Sequence, residues 1–180
     1  MTTFAIVIVL ILSLVVLFLL VGFFLPNKWT IDRAELINST PDKVLDMIID
    51  MENWHNWLVW TMPSNGYELD YSSHKKGQGA WQSFSNHQFS AKITLTGLEM
   101  GQKVYWKMDI DQTGFQIDGL FVIEPTAVNY SQVACRIESG KVSVSNPAKR
   151  IQLRILKQFM EEAFEESLLH LQTYFRSDSE

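Results

Sequence analysis

The sequence predicts an α+β fold in which a curved antiparallel β-sheet wraps around one long C-terminal helix, preceded by one transmembrane helix. Three stretches predict it: a charge-free apolar run, Phe4–Leu25, a series of short alternating segments in the middle of the chain, and an unbroken helical pattern, Asn146–Phe175. The predicted division is an anchor over residues 1–27 and a single domain over residues 28–180.

The N-terminal stretch is long enough to cross a bilayer. Phe4–Leu25 has Ser13 as its one polar side chain, and at 1.5 Å per residue it spans about 33 Å. No Lys or Arg precedes it and no small-residue cleavage pattern follows, which favours a retained anchor over a cleaved signal peptide. Lys28 and Arg33 follow the span, so we expect a single-pass protein of the cell membrane with its domain on the cytoplasmic side.

The C-terminal stretch predicts the helix around which the domain is built. Asn146 suits an N-cap, Pro147 suits the first helical position, and no later Gly or Pro interrupts the pattern up to Phe175. Residues on one apolar face recur at steps of three and four: Leu156, Phe159, Met160, Ala163, Phe164, Ser167, Leu168, Leu171, Tyr174 and Phe175. A face this wide requires a broad partner surface.

The middle of the chain supplies that partner. A strand over Trp29–Asn38 is followed by a short helix that starts at Ser39–Asp42 with a hydroxyl cap. About six strands come next, with turns at sites such as Pro125–Thr126. Strands so close in sequence pair as antiparallel meanders. Since a sheet and a helix do not close tightly along their whole length, we expect an apolar cavity between them.

In their order and spacing, these elements resemble one known family. The matching motifs are Ile37–Val44, Asp50-x-x-x-Trp54-x-x-Trp57-x-x-Trp60, Gly77-x-Gly79-Ala80, Gly140 followed by Asn146-Pro147-x-x-Arg150, and Phe164–Leu171. The chain resembles the SRPBCC (START-like, helix-grip) superfamily, in particular its polyketide cyclase/dehydrase-type members with an N-terminal anchor. The resemblance covers about residues 28–175 and implies the helix-grip fold. That superfamily includes lipid-transfer proteins, quinone-binding proteins, cyclases and chaperone regulators, so the fold does not fix the function.

Two groups of residues are candidates for a ligand site. The candidates for the wall of the cavity are Trp81, Ile93, Leu95, Trp106, Met108, Phe121, Phe159, Met160 and Ala163. The candidates for its mouth, placed close together by their spacing of three, are Trp54, Trp57 and Trp60. The alternative interpretation is that both groups are ordinary core, because most aromatic stripes are.

Catalytic, metal and nucleic-acid signatures are missing from the sequence. None of the four histidines stands at an interval from a carboxylate that indicates a catalytic pair, and no recognisable metal-ligand spacing occurs. Cys135, the single cysteine, predicts no internal disulfide and a buried, unreactive thiol. With 20 acidic against 15 basic residues, the chain gives no support for nucleic-acid binding. We expect no cofactor.

The leading hypothesis is a membrane-anchored domain that binds a hydrophobic small molecule or lipid without chemistry. The first alternative is an enzyme of cyclase, dehydratase or hydrolase type, which a His or carboxylate inside the pocket would favour. The second is a regulatory module for an unknown protein partner. A filled pocket together with an exposed apolar patch elsewhere would favour that module.

Overall fold

The computed structural model describes residues 2–87, 89–99, 102–143 and 145–177. The fold is α+β, as predicted, with an N-terminal apolar helix, a seven-stranded antiparallel sheet and a long C-terminal helix. The helices are α1 (Thr2–Phe24), α2 (Pro41–Ile49) and α3 (Pro147–Ser177). The strands are β1 (Thr30–Ile37), β2 (Glu68–Tyr71), β3 (Trp81–Ser85), β4 (Ser90–Glu99), β5 (Lys103–Ile110), β6 (Phe115–Ala127) and β7 (Tyr130–Ser139).

The strand order is β1-β7-β6-β5-β4-β3-β2, so each of the last six strands pairs with its neighbour in sequence. The first strand instead pairs with the last, with Ile31 opposite Ile137. Alternate residues of each central strand are buried on one face, called here the inner face, and the rest lie on the outer face. The predicted alternation in β4, β5 and β6 is therefore confirmed.

The structure corrects the turn predicted at Pro125–Thr126, because β6 continues to Ala127 and shifts its register against β7 there. Proline is tolerated at this point for a geometric reason. The amide of Ile123 points towards the β5 side, where it donates to Gln102 O over 2.8 Å. The nitrogen of Pro125, two residues on, faces the same side beyond the end of β5, whose pairing stops at Lys103 opposite Val122.

A second correction concerns the start of α2. Thr40 is its N-cap, as the sequence predicts, but its hydroxyl makes no capping hydrogen bond.

The tryptophan-rich stretch after α2 forms three short 3-10 helices, Met51–Asn56, Val59–Thr61 and Pro63–Asn65. Asp50 caps the first of them by accepting from the Glu52 amide over 3.1 Å.

The chain forms two compact units, and α3 contributes to both. The first unit comprises residues 1–29 and 141–160, so the predicted anchor is grouped with the first turns of α3. Arg150 Nη1 donates to Phe23 O over 2.7 Å, and Trp29 Nε1 donates to Leu153 O over 3.0 Å. These bonds attach the last turn of α1 and the segment after it to the start of α3.

The second unit comprises residues 30–140 and 161–180 and contains the whole sheet. The C-terminal half of α3 lies against the inner face of the sheet, where Phe164, Leu168 and Leu171 are buried. At the β1 edge, Arg33 forms ion pairs with Glu161 at 3.2 Å and Glu165 at 3.6 Å. The helix is therefore held by apolar burial along its middle and by charge pairs at one side of the sheet.

Candidate functional site

The interior of the second unit is occupied by rings that contact one another. We call these residues the aromatic layer: Trp54, Trp57, Trp60, Phe84, Trp106, Phe121 and Phe164. All seven are buried. Where a cavity was expected, the inner face of the sheet and the C-terminal half of α3 are joined by aromatic side chains.

Trp106 lies at the centre of this layer. Its indole is stacked on Phe164 of α3, with ring centroids 5.4 Å apart, and it packs against Phe121 at 5.9 Å. The ring fits because its register partner on β6 is Gly119. A Cβ on residue 119 would stand 1.9 Å from the indole, so only glycine leaves room for Trp106 to lie flat over β6.

The tryptophan-rich stretch covers one end of the layer and is fixed by hydrogen bonds. Trp54 Nε1 donates to Ile48 O of α2 over 2.8 Å. The buried hydroxyl of Ser167 on α3 accepts from the Val59 amide at 3.1 Å and donates to Ala163 O at 2.6 Å. This serine therefore ties the second 3-10 helix to α3.

The polar atoms in this interior that lack a hydrogen-bond partner within the described part of the chain include Nε1 of Trp57, Nε1 of Trp106 and Oε1 of Gln82. Both indoles contact the ring of Phe121, each at 5.9 Å. Gln82 pairs with Ile93 of β4, and Ile93 pairs with Met108 of β5. Met108 is the next residue after Trp106 on the inner face of β5, so Gln82 lies on the same face as Trp106. A buried polar atom without a partner costs about 1–3 kcal/mol, so the packed interior carries an energetic cost that a hydrogen-bonding partner would remove.

Gln82 connects this interior to the edge of the sheet. Its Nε2 donates to the hydroxyl of Tyr71 on β2 over 3.2 Å. Tyr71 is half-buried, and burial raises the pKa of its phenol, so the hydroxyl stays neutral at physiological pH. The amide is thus held by its nitrogen, and its oxygen is left facing the buried side.

The structure places most of the predicted cavity-wall residues in the buried interior. Those on the inner face of the sheet are Ile93, Leu95, Trp106, Met108 and Phe121, and Ala163 is buried on the part of α3 in the same unit. Met160 is buried on the part of α3 that belongs to the first unit. Trp54, Trp57 and Trp60, the predicted mouth, are almost completely buried as well. They form part of the aromatic layer and do not present a rim to solvent.

Two predicted wall residues lie elsewhere. Trp81 is on the outer face of β3, where Lys92 Nζ sits 4.0 Å from the centroid of its indole. Phe159 is largely exposed on α3, whereas its neighbour Met160 is buried. Strand alternation puts Trp81 on the face of β3 opposite to Phe84, which is buried, so the prediction that Trp81 points inward was wrong. The same alternation puts Gln82 on the buried face with Phe84, and this pattern is the sequence signal that identifies Gln82 as an inward residue.

Few ionisable groups are buried among the described residues. Among the residues that the structure describes, no Asp, Glu, His or Lys is buried, and no group of three metal-ligating side chains occurs. His170 does have a carboxylate at a helical interval, contrary to the sequence reading, with Nε2 3.6 Å from Glu166 on the exposed side of α3. Cys135 is buried on the inner face, as expected, and burial raises the pKa of its thiol well above the ordinary value.

A separate groove of about 460 Å³ lies on the outer face across β1, β7 and β6. Its floor is made by small and branched apolar side chains: Ala34, Leu120, Val122 and Ala134. Asp32 accepts a hydrogen bond from Arg136 Nε over 2.7 Å at its side. An apolar groove with a charged border is a feature of surfaces that bind other proteins.

No family model matches the sequence, and no curated protein sequence matches it. Solved structures do match the fold. A protein of Chromobacterium violaceum superimposes with a TM-score of 0.57 at 15% identity, over 82% of this chain and 96% of its own. A hypothetical protein of Helicobacter pylori gives a TM-score of 0.62 at 8% identity, over 83% of this chain and 88% of its own.

A third similar structure is that of Aha1 from Colwellia psychrerythraea, solved as a dimer. It gives a TM-score of 0.53 at 17% identity and covers 80% of this chain and 93% of its own. At such identities the likeness concerns the fold alone. The fold is therefore shared with these proteins, and the chemistry of the interior has to be argued from this chain's own residues.

Proposed function

We propose that this protein is a membrane-anchored, helix-grip binding domain of the SRPBCC type that holds a hydrophobic small molecule or lipid in its interior. The observation that carries the proposal is the set of partnerless buried atoms, Trp57 Nε1, Trp106 Nε1 and Gln82 Oε1, within an otherwise apolar layer. A ligand with an oxygen acceptor for the indole N–H groups and a hydroxyl or amide donor for Gln82 would remove the cost of leaving them unsatisfied.

Binding in this interior requires movement of the rings. The centroids of contacting rings in the aromatic layer are 5.0–6.3 Å apart, so the layer is closed by its own side chains. Gln82 and Tyr71 mark the side where the layer reaches the half-exposed edge strand β2. We place the route of the ligand there, since β2 has four residues and one neighbouring strand, β3.

Anchoring is the second part of the proposal. Helix α1 has 23 residues, is long and apolar enough to cross a membrane, and its large apolar side chains are exposed. The first charged residues after it are Lys28, Asp32 and Arg33, two of them basic. We propose that α1 crosses the membrane with the domain on the cytoplasmic side. A domain so placed would exchange a lipid or a lipophilic molecule directly with the bilayer.

Native mass spectrometry and extraction of the full-length protein, purified in lipid nanodiscs, test the binding proposal. We expect a defined bound molecule that is lost in Gln82→Leu and in Trp106→Phe, each of which removes one partnerless atom. Trp81→Phe is the matched control, because Trp81 lies on the outer face. A protein that stays empty after incubation with a total lipid extract, with no difference among the variants, would contradict the proposal.

The stability of Gln82→Leu separates a binding role from a structural one. The substitution removes a buried acceptor that has no partner and also the Nε2 bond to the Tyr71 hydroxyl, two effects of opposite sign and similar size, so the ligand-free variant should unfold within about 1 kcal/mol of wild type. Loss of ligand without loss of stability therefore assigns the amide to binding. Loss of both would show that the amide serves folding.

A second candidate function is a protein-interaction module that uses the outer groove. Two observations favour it: the aromatic layer fills the interior, and Ala34, Leu120, Val122 and Ala134 form an exposed apolar groove. Ala134→Arg would fill this groove and leave the inner face unchanged. Cross-linking in intact cells followed by mass spectrometry should then lose a specific adduct in Ala134→Arg and keep it in Gln82→Leu, and the opposite pattern would exclude this function.

A further inference from the structure

Charge is distributed unequally between the two units of the chain. The unit of residues 1–29 and 141–160 has six basic residues and no acidic one: Lys28, Lys141, Lys149, Arg150, Arg154 and Lys157. The other unit has nine basic and twenty acidic residues in its sequence. The basic residues of an acidic protein are thus concentrated in the part that contains the apolar helix.

Contacts within the first unit bring these basic residues to the end of α1. Arg150 donates to the carbonyl of Phe23 in the last turn of that helix, and Val142 N donates to Asn27 O over 2.8 Å. Gly22 lies against Pro147, where an added Cβ would stand 2.6 Å from the proline oxygen. The first turns of α3 are therefore attached to the end of α1 by the Arg150 hydrogen bond and a close backbone approach, and the Val142 hydrogen bond joins the segments next to the two helices.

The same turns of α3 expose an apolar pair. Ile155 is 65% exposed and Phe159 is 49% exposed, and their spacing of four residues puts them on one face of the helix. The side chains of Lys149 and Arg154 are exposed on the same turns. Large apolar residues accompanied by Lys and Arg are the pattern of a helix that lies in the interface of an anionic membrane.

We propose that residues 147–159 of α3 form a membrane-surface contact whose occupant is the anionic headgroup layer of the leaflet in which α1 ends. Lys149 and Arg154 pair with the lipid phosphates, and Ile155 and Phe159 insert among the headgroups and upper acyl chains. The inference rests on the proposed insertion of α1 and adds a lipid-binding surface that is separate from the aromatic layer. Arg150 takes no part in lipid binding, because it is buried and donates to Phe23 O.

Depth measurements on the full-length protein test this contact. An environment-sensitive NBD label is attached to Phe159→Cys or, as a control, to Leu169→Cys, a similarly exposed position on α3 within the other unit. Native Cys135 is buried and has a strongly raised pKa, so the label reacts with the introduced thiol. The protein is reconstituted in phosphatidylcholine vesicles with or without 30% phosphatidylglycerol, each containing a lipid-borne spin quencher.

We expect the label at position 159 to be quenched at least threefold more in the anionic vesicles than the label at position 169. Lys149→Glu combined with Arg154→Glu should remove that difference, and Lys149→Arg combined with Arg154→Lys should retain it. A label at position 159 that reports water in both lipids, or that is quenched equally in both regardless of these charges, would overturn the proposal. A label at position 159 that reports water in both lipids would instead favour an acidic protein as the partner of this surface.

Insertion of α1 is checked separately, so the two proposals fail in different ways. Flotation of the vesicles with the protein after alkaline carbonate treatment reports the anchor alone. A protein that floats but shows a water-exposed label at position 159 retains the anchor and loses the surface contact. A protein that does not float overturns the anchor and, with it, the basis of the surface contact.

Discussion

The indole of Trp106 on β5 lies flat over Gly119, its register partner on β6, and occupies the space of a side chain that residue 119 does not have. The other side of the same indole is covered by Phe164 of α3. One glycine therefore determines how closely the centre of the sheet approaches the helix.

Gly119→Ala adds only one methyl group, but it should destabilise the protein more than the same substitution does where there is space for the methyl. The new Cβ would overlap the indole at 1.9 Å and force Trp106 off Phe164, for which we expect a loss of about 1–3 kcal/mol in the free energy of unfolding. Urea unfolding in detergent micelles, followed by tryptophan fluorescence, measures it. Gly97→Ala is the control, because its Cβ would meet Tyr105 at an ordinary 3.5 Å. Equal stability of the two variants would contradict this account.

Ser167→Ala should weaken the attachment of the tryptophan-rich stretch to α3. The substitution removes the oxygen that accepts from the Val59 amide in a buried site, and the expected loss is about 1–3 kcal/mol. Thr173→Ala removes a similar hydroxyl, bonded to Leu169 O four residues earlier, on the exposed side of the same helix. Hydrogen exchange should accelerate at residues 57–61 in Ser167→Ala and remain unchanged in Thr173→Ala.

Stability should fall at alkaline pH through Cys135. Burial, and secondarily the charge of Asp32, raises the thiol pKa well above its ordinary value of 9.0. The unfolded chain therefore loses this proton at a lower pH than the folded protein, and the stabilisation present below pH 9 is lost as the pH rises above it, by up to about 1.4 kcal/mol per pH unit.

Cys135→Ala isolates that contribution. The variant loses packing, so it is less stable at neutral pH, but its free energy of unfolding should decline less steeply between pH 9 and pH 10.5. The burial-raised pKa of Tyr71 acts in the same direction and is common to both proteins. Parallel pH profiles for wild type and Cys135→Ala would show that the thiol ionises normally in the folded protein.

Gly22→Leu should loosen the contact between α1 and the start of α3. The space beside Gly22 is filled by Pro147, so a larger side chain displaces one backbone from the other. We expect the Val142 amide, bonded to Asn27 O, to exchange at least tenfold faster in nanodiscs. Val21→Leu, at the exposed neighbouring position, is the control and should leave that exchange rate unchanged.

The sequence was sufficient to predict the architecture because the relevant signals are local. Alternation in residues 91–95 and 104–110 identified β4 and β5, and the absence of helix breakers after Pro147 identified α3. The turn at Pro125–Thr126 was predicted wrongly, because a proline is compatible with a strand only where the neighbouring strand has already ended. Where a neighbouring strand ends is a property of the assembled sheet, and the residues around Pro125 do not indicate it.

The candidate site was less accessible for a related reason. Apolar character selected residues that the structure mostly buries, but Gln82 is polar and was passed over, while Trp81 was taken for an inward residue. A buried atom lacks a hydrogen-bond partner only as a result of tertiary packing, so no sequence pattern could show that Trp57 Nε1 and Trp106 Nε1 have no partner. The exposure of Phe159 was equally hidden, because the helical period assigns it to the same broad face as Met160.

The pairing of the first strand with the last sets the order of events during synthesis. Asp32 of β1 and Arg136 of β7, which meet at the sheet edge, are 104 residues apart in the chain. At about 5–20 residues per second, β1 leaves the ribosome roughly 5–20 s before the strand that completes it. During that interval we expect the charges of Asp32, Arg33 and Glu35 to keep an incomplete edge soluble and to discourage pairing between nascent chains.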